Sequence, residues 1–103
     1  SGSFFKNPVI SKKQFNALAE NLKDVPSYPI SDDEVKIPAG WLIEKAGFKG
    51  KRFGNYGVHK KQALVLVNYG NANGEDILNL SKLIQKTIKR IFNVTIEAEV
   101  NIL

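Results

Sequence analysis

The feature that most constrains the fold is a long amphipathic helix predicted in the last third of the sequence. Its apolar positions recur at the spacing of one helical face: Ile77, Leu80, Ile84, Ile88 and Ile91. A chain of 103 residues is expected to form one domain with a single modest core. An apolar stripe of this length must therefore supply a large part of that core.

The ends of this helix carry residue types that favour helix termini. Asn73 can cap the first turn with its side-chain oxygen. Acidic residues in the first turn and basic residues near the end suit the helix dipole: Glu75, Asp76, Lys86, Lys89 and Arg90. The sequence therefore predicts a helix that starts after Asn73 and includes Ile91.

Two further helices are predicted in the first half of the chain. Ser11 and Gln14 fit a capping box, in which each side chain bonds the other residue's backbone N–H, at the start of a helix from Ser11 to about Leu22. A shorter helix is expected over residues 39–46. Gly47 is well suited to end it in the left-handed conformation.

The strand signals are shorter and more scattered. Residues 4–10 suggest an extended opening segment, residues 35–37 a brief strand, and residues 24–33 a loop. The continuous apolar run 63–67 predicts the central buried strand, and the alternating residues 94–102 predict a half-buried strand. Without a regular βαβ rhythm, this order favours an α+β fold: a small mixed sheet packed by two main helices and one short helix.

Composition narrows the classes of site. Cysteine is absent and His59 is the single histidine, so disulfides are excluded and a protein-only zinc site is not expected. No apolar run approaches the roughly 18 residues that span a bilayer. The net charge of +5 suggests an anionic partner, but it does not choose among nucleic acid, a membrane surface and a phosphorylated small molecule.

Three local sequences, in this order along the chain, carry a family resemblance. They are Gly2–Pro8 (GSFFKNP), Ala39–Gly50 (AGWLIEKAGFKG) and Glu97–Asn101 (EAEVN). Together they resemble the UDP-N-acetylenolpyruvoylglucosamine reductases, and the likeness extends over residues 1–103. The resemblance implies a C-terminal substrate-binding domain over residues 1–103, with the N-terminal FAD-binding portion absent from this chain.

The resemblance also implies a reaction. In that family NADPH reduces FAD, the flavin passes hydride to C3 of the enolpyruvyl group on UDP-N-acetylglucosamine, and a protein acid protonates C2. The product, UDP-N-acetylmuramate, serves peptidoglycan biosynthesis and hence bacterial cell shape and division. FAD and NADPH are thus expected in the complete, cytoplasmic enzyme. This chain alone is expected to bind neither cofactor and to be inactive.

Two residues match the catalytic positions of the family. Ser3 matches the serine that donates the proton to C2. Glu99 matches the near-terminal glutamate beside the enolpyruvyl group, which helps to steer or stabilise the developing charge. From composition alone Ser3 would be an ordinary residue of a Ser-Gly-Ser terminus, and Glu99 a solvated glutamate on the same strand face as Glu97. The motifs favour the catalytic interpretation.

Four further residues match substrate contacts of the family. By order and spacing, Asn7 and Tyr28 correspond to residues near the diphosphate, and Lys49 and Gln62 to residues around the UDP portion. An amide, a phenol and an ammonium group together supply the neutral and cationic donors that two phosphates require. Otherwise Tyr28 would be a packing aromatic between two prolines, and Lys49 a solvated charge in a basic run. The resemblance implies no cofactor-binding or metal-ligating residue here.

The competing hypothesis is a small RNA-binding module, in which bases stack on aromatic rings and lysines contact phosphates. The relevant residues interleave cations and aromatic rings: Lys49, Lys51, Arg52, Phe53, Tyr56, Lys60 and Lys61. No RRM, KH or OB signature accompanies them. The partners that the family resemblance implies are UDP-N-acetylglucosamine enolpyruvate and the chain's own N-terminal FAD-binding domain, not nucleic acid or a membrane. A lone histidine beside two lysines is typical of a surface residue, so His59 receives no functional role.

Overall fold

The computed structural model describes residues 4–99 of the chain. Within this range it contains three helices: α1 (Lys12–Ala19), α2 (Ala39–Lys45) and α3 (Gly74–Phe92). It also contains five short strands: β1 (Val9–Ser11), β2 (Tyr28–Pro29), β3 (Glu34–Lys36), β4 (Tyr56–Val58) and β5 (Leu66–Asn68). None of these helices is both long and apolar enough to cross a membrane.

The predicted long helix is confirmed as α3, including its start. Asn73 Oδ1 accepts from Asp76 N at 2.8 Å, and Asp76 Oδ2 accepts from Asn73 N at 3.2 Å, which completes a capping box. Ile77 is half-buried and Leu80, Ile84 and Ile88 are buried, but Ile91 is 48% exposed and Phe92 is buried in its place. The prediction for Ile91 was wrong, because Phe92 lies four residues beyond Ile88 and continues the same face.

The predicted start of α1 is confirmed, but its end and half of its cap differ. Ser11 Oγ accepts from Gln14 N at 3.0 Å, and the helix ends at Ala19 instead of near Leu22. The Gln14 side chain does not return to the cap. Its Nε2 donates to Asn93 O at 2.8 Å and so joins α1 to the end of α3. A tertiary hydrogen bond replaces the predicted local one.

The predicted termination of α2 is confirmed. Gly47 has φ +91°, a backbone conformation that favours glycine, and Phe48 N donates to Ile43 O at 3.2 Å. Phe48 is buried against the core on the far side of this turn. The turn therefore directs the chain back along α2.

The α+β class is confirmed, but the strands of the described part of the chain form two sheets and both are antiparallel. One has the order β1-β3-β2 and the other pairs β4 with β5. The run 63–67 is not the central buried strand. It divides between a turn at 63–64 and β5, which within residues 4–99 pairs only with β4 and has no fully buried residue. A continuous apolar run has no periodicity, so the sequence does not distinguish a buried central strand from a turn followed by a short strand.

The segment after α3 alternates as predicted, with Val94 and Ile96 buried and Thr95 and Glu97 exposed. It makes an isolated antiparallel bridge between Phe5 and Ala98 instead of a regular strand. The remaining part of the predicted strand, residues 100–102, lies outside the described residues. The bridge sets the beginning and end of the described chain side by side.

Candidate functional site

A groove beside this bridge contains two of the predicted site residues, Asn7 and Glu99. We call it the Glu99 groove; its volume is about 410 Å³. It is lined by Phe5, Lys6, Asn7, Val9, Lys36, Leu64 and Glu99. Backbone bonds fix the two segments against each other: Glu99 N donates to Phe4 O at 2.7 Å, and Lys6 N donates to Glu97 O at 2.9 Å.

Asn7 is fixed in this groove by a hydrogen bond to α2. Its Oδ1 accepts from Ala39 N at 2.9 Å, the first residue of the helix. That N–H has no partner within the helix, so the bond stabilises the helix start. An asparagine amide also carries two N–H donors on Nδ2. Asn7 can therefore hold α2 through its oxygen and offer its nitrogen to a ligand.

Tyr28 lies beside the Glu99 groove through the register of the three-stranded sheet. Val9 and Tyr28 are both directly opposite Lys36 of the central strand, so these three side chains share one face. Tyr28 is 58% exposed, which excludes the interpretation as a buried packing aromatic. The phenol lies next to the lysine that lines the groove.

Sequence reasoning missed two lysines of this groove, Lys6 and Lys36. Lys6 belongs to the first family-like motif but had no role in the prediction. For Lys36 the available signal was the alternation of residues 35–37, which places it on the face opposite the buried Val35. The strand partners of Lys36 are Val9 and Tyr28. Because Val9 and Glu99 are distant from Lys36 in sequence, no local pattern shows that Lys36 lies near Asn7 and Glu99.

A second groove contains the other two predicted substrate contacts, Lys49 and Gln62. We call it the Lys49 groove; its volume is about 290 Å³. It is lined by Gly40, Glu44, Lys49, Lys61, Gln62, Ala63 and Leu64. Lys49 Nζ lies 3.1 Å from Glu44 Oε1 in an ion pair whose side chains are 34% and 53% exposed. Solvent screens such a pair, and it holds the ammonium group at the groove edge without isolating it from a ligand.

Gly40 keeps the floor of the Lys49 groove open. A Cβ added there would lie 3.3 Å from Leu64 Cγ, so any larger residue would push against that side chain. Leu64 lines both grooves, which therefore adjoin. Its carbonyl accepts from Phe4 N at 2.8 Å, which anchors the residue that follows Ser3 in the chain. Ser3 itself lies outside the described residues.

Three of the residues of the competing hypothesis, Arg52, Phe53 and Tyr56, have partners inside the domain. The Arg52 guanidinium lies 4.1 Å from the centroid of the Tyr69 ring, and the Phe53 and Tyr56 rings stack with centroids 6.1 Å apart. Phe53 and Tyr56 are also packed against the core. These rings have internal partners, whereas stacking platforms for bases need open faces.

Both grooves are open to solvent. Both are lined largely by exposed polar and charged side chains, among them Lys6, Glu44, Lys61 and Glu99. Over residues 4–99 no three His, Cys, Asp or Glu side chains are grouped as metal ligands would be. The lysines and amides are suited to an anionic, hydrogen-bonding ligand.

Comparison with known proteins identifies one family over the whole chain. Residues 1–103 match the sequence model of the UDP-N-acetylenolpyruvoylglucosamine reductase, C-terminal domain. Relatives of that name are 60% identical over 103 residues in Flavobacterium johnsoniae, 52% over 99 in Burkholderia cenocepacia and 48% over 101 in Bacteroides fragilis. These alignments cover 100%, 96% and 98% of this chain, and 31%, 28% and 30% of the relatives. The chain thus spans less than a third of the length of these curated relatives.

Proposed function

The chain belongs to the UDP-N-acetylenolpyruvoylglucosamine reductase family, whose C-terminal domain it matches, and we propose that it binds the UDP-sugar substrate and supplies the proton for its reduction in the complete protein. The observation that carries this function is the junction of the two grooves at Leu64. On its two sides lie four of the six residues that the family resemblance assigns to the site: Asn7, Glu99, Lys49 and Gln62. The family match gives no support to an RNA-binding role.

The Glu99 groove suits the diphosphate and the reacting end of the substrate. Lys6 and Lys36 offer two ammonium groups, and the Asn7 amide and the Tyr28 phenol offer neutral donors on the same side. Charge-assisted hydrogen bonds of this kind are the strongest that side chains make to phosphate oxygens. We assign the diphosphate to these donors and the enolpyruvyl group to the neighbourhood of Glu99.

The Lys49 groove suits the nucleotide end of the substrate. Lys49 can contact an oxygen of the UDP portion, and the Gln62 amide offers both a donor and an acceptor for polar groups of a base or ribose. The adjoining grooves allow one extended ligand to occupy both. Its reacting group would then lie beside Glu99 and its uridine end beside Gln62.

The proposed chemical step is protonation of C2 of the enolpyruvyl group. Hydride addition at C3 leaves a carbanion-like or enolate centre at C2, and this strong base accepts a proton from the Ser3 hydroxyl even though serine is a weak acid. Glu99 would steer the group and stabilise the charge that develops. Support for Ser3 comes from the GSFFKNP motif and from Phe4, which hydrogen-bonds both Leu64 and Glu99.

FAD and NADPH, as the hydride source of this family, are proposed to bind the part of the complete protein outside this chain. That part would face the two grooves and close the active site over the substrate. The reaction would take place in the bacterial cytoplasm and supply a peptidoglycan precursor. This chain alone would bind substrate groups but transfer no hydride.

The test separates the two half-reactions of the complete protein by stopped-flow absorbance of the flavin. Ser3→Ala should leave reduction by NADPH unchanged and slow reoxidation by UDP-N-acetylglucosamine enolpyruvate by about 10²–10⁴-fold, the usual contribution of a positioned acid. Ser1→Ala is the matched control, because it removes a hydroxyl two residues away. Unchanged reoxidation in Ser3→Ala would contradict the assignment.

A second measurement tests binding by the chain itself. UDP-N-acetylglucosamine and a short single-stranded RNA are titrated separately into the 103-residue protein. We expect a response to the nucleotide sugar that weakens with added salt, because lysines contribute to it. Salt-sensitive RNA binding without any response to the nucleotide sugar would favour the competing hypothesis.

A further inference from the structure

His59 makes contacts that the sequence did not suggest. Its Nδ1 atom accepts two backbone hydrogen bonds, from Lys61 N at 3.0 Å and from Gln62 N at 3.1 Å. Its own backbone is fixed on both sides, since Gly50 N donates to His59 O at 3.2 Å and His59 N donates to Val65 O at 2.9 Å. The half-buried imidazole is therefore part of a turn and not a free surface group.

This arrangement requires one form of the imidazole. A nitrogen that accepts hydrogen bonds must carry a lone pair, so the ring is neutral and its proton lies on Nε2. The ring performs the function that an asparagine oxygen performs in an Asx turn. The same chain contains such a case: Asn68 Oδ1 accepts from Gly70 N at 2.9 Å and from Ala72 N at 3.3 Å.

The turn held by His59 forms one wall of the Lys49 groove. Lys61, Gln62 and Ala63 line that groove, and Val65 N closes the turn by donating to Gln62 O at 2.9 Å. The two N–H groups bound by Nδ1 belong to the residues whose side chains project there. Their backbone positions determine where the Lys61 ammonium and the Gln62 amide can reach.

We propose that His59 is a positioning residue for substrate binding: its neutral imidazole fixes the turn so that Lys61 and Gln62 meet the nucleotide end of the ligand. This role rests on the proposed function of the Lys49 groove. It extends that function to a residue that touches no substrate. The interpretation of His59 as an ordinary surface histidine is thereby replaced.

The test uses two variants of equal shape in the complete protein. Asparagine places Oδ1 at the same number of bonds from the backbone as the histidine Nδ1 atom, so His59→Asn keeps the acceptor. His59→Leu has the same branching without any acceptor. We expect His59→Leu to raise KM for UDP-N-acetylglucosamine enolpyruvate by about tenfold at nearly unchanged kcat, as the loss of two backbone hydrogen bonds would suggest. His59→Asn should restore KM to near the wild-type value.

Amide hydrogen exchange of the peptide covering residues 59–65, measured without substrate, reports on the turn separately. We expect faster exchange in His59→Leu and wild-type exchange in His59→Asn. An unchanged KM in His59→Leu, or an Asn variant as impaired as the Leu variant, would overturn the positioning role. If His59→Leu does not fold, His59→Gln, whose acceptor lies one bond further out, replaces it with the same expected result.

Failure of the proposed function would look different. Wild-type complete protein would then show no saturable reaction with the enolpyruvyl sugar, and the substrate part of the His59 role would fall with it. The exchange rates would still decide whether the imidazole fixes the turn. The two hypotheses are therefore contradicted by different measurements.

Discussion

The two grooves that meet at Leu64 carry the same formal charge but differ in whether their lysines form ion pairs. Each is lined by two lysines and one glutamate. In the Lys49 groove one lysine is already 3.1 Å from the glutamate. In the Glu99 groove none of the three charges forms an ion pair with another residue in the range 4–99.

The grooves also differ in how they are assembled. The Lys49 groove is built mainly from two local pieces of chain: α2 with the Gly47 turn that follows it, and the turn after His59. The Glu99 groove needs the opening segment, β3, Leu64 and the segment after α3 at once. A ligand should therefore gain more binding free energy from the two lysines of the Glu99 groove, which form no ion pair within residues 4–99. The Lys49 groove is prearranged, and each of its charges should contribute less binding free energy.

The largest effect is expected from Glu99, beside which we proposed that the enolpyruvyl group lies. Glu99→Gln in the complete protein should slow flavin reoxidation by about 10²–10³-fold, the usual cost of losing one group that stabilises developing charge. Reduction by NADPH should not change. Glu97→Gln is the matched control, because it removes the same charge two residues away on the same exposed side. Stopped-flow traces of equal rate for both variants would remove Glu99 from the catalytic role.

The next effect should come from the unpaired lysines. Lys6→Ala and Lys36→Ala should each raise KM for the enolpyruvyl sugar by about tenfold or more, because a hydrogen bond to a charged group contributes about 1.5–3 kcal/mol. The dependence of KM on salt should weaken in parallel. As a control, Lys12→Ala and Lys13→Ala remove the same charge at the start of α1. If these controls raise KM equally, the effect is one of net charge and not of contact.

Whether a sequence prediction was confirmed depended on how far apart in sequence the interacting residues lie. The start of α3 and the termination of α2 were predictable, because Asn73 caps residues three positions away and Gly47 acts within one turn. Gln14 was mispredicted for the opposite reason. Its side chain bonds Asn93, which is 79 residues away, and no local pattern reports that partner.

The same distinction applies to the site. The family resemblance supplied six residues but not their neighbours. Lys36 enters the Glu99 groove because β3 pairs with Val9 on one side and with Tyr28 on the other. The acceptor role of His59 also depends on backbone geometry, not on residue type. The apolar run 63–67 failed as a strand prediction because hydrophobicity alone does not distinguish a buried turn from a buried strand.

The close approach of Gly57 to the backbone of Lys51 and Arg52 allows a substitution that perturbs the chain near the Lys49 groove without altering any charge. A Cβ on Gly57 would lie 2.5 Å from Lys51 O and 2.9 Å from Arg52 Cα, so Gly57→Ala must displace either β4 or the backbone at Lys51 and Arg52, just after Lys49 in the chain. We expect a loss of about 1–3 kcal/mol in the free energy of unfolding, measured by urea denaturation of the chain. Gly74→Ala, where a Cβ meets nothing within 4 Å, is the control and should be neutral or slightly stabilising. Equal stability of both variants would show that the β4 region can shift freely.

The smallest effect provides the sharpest test of the difference between the grooves. If the Glu44 carboxylate competes with substrate for Lys49, Glu44→Gln should tighten binding of the UDP-sugar, by no more than about fivefold because an exposed ion pair contributes at most about 1 kcal/mol. Lys49→Ala should weaken binding by a similarly small factor, less than Lys36→Ala does. Glu20→Gln, which removes an exposed carboxylate at the end of α1, controls for the change in net charge.

Calorimetric titration of the variants would decide between two roles for this ion pair. Tighter binding in Glu44→Gln than in Glu20→Gln would mean that the pair restrains Lys49 and must open for substrate. Weaker binding in Glu44→Gln would mean that the carboxylate orients the ammonium group towards the ligand, so that the 3.1 Å contact is part of the prearranged site. In that case the Lys49 groove would resemble the His59 turn, where an internal acceptor fixes the donors that face the groove.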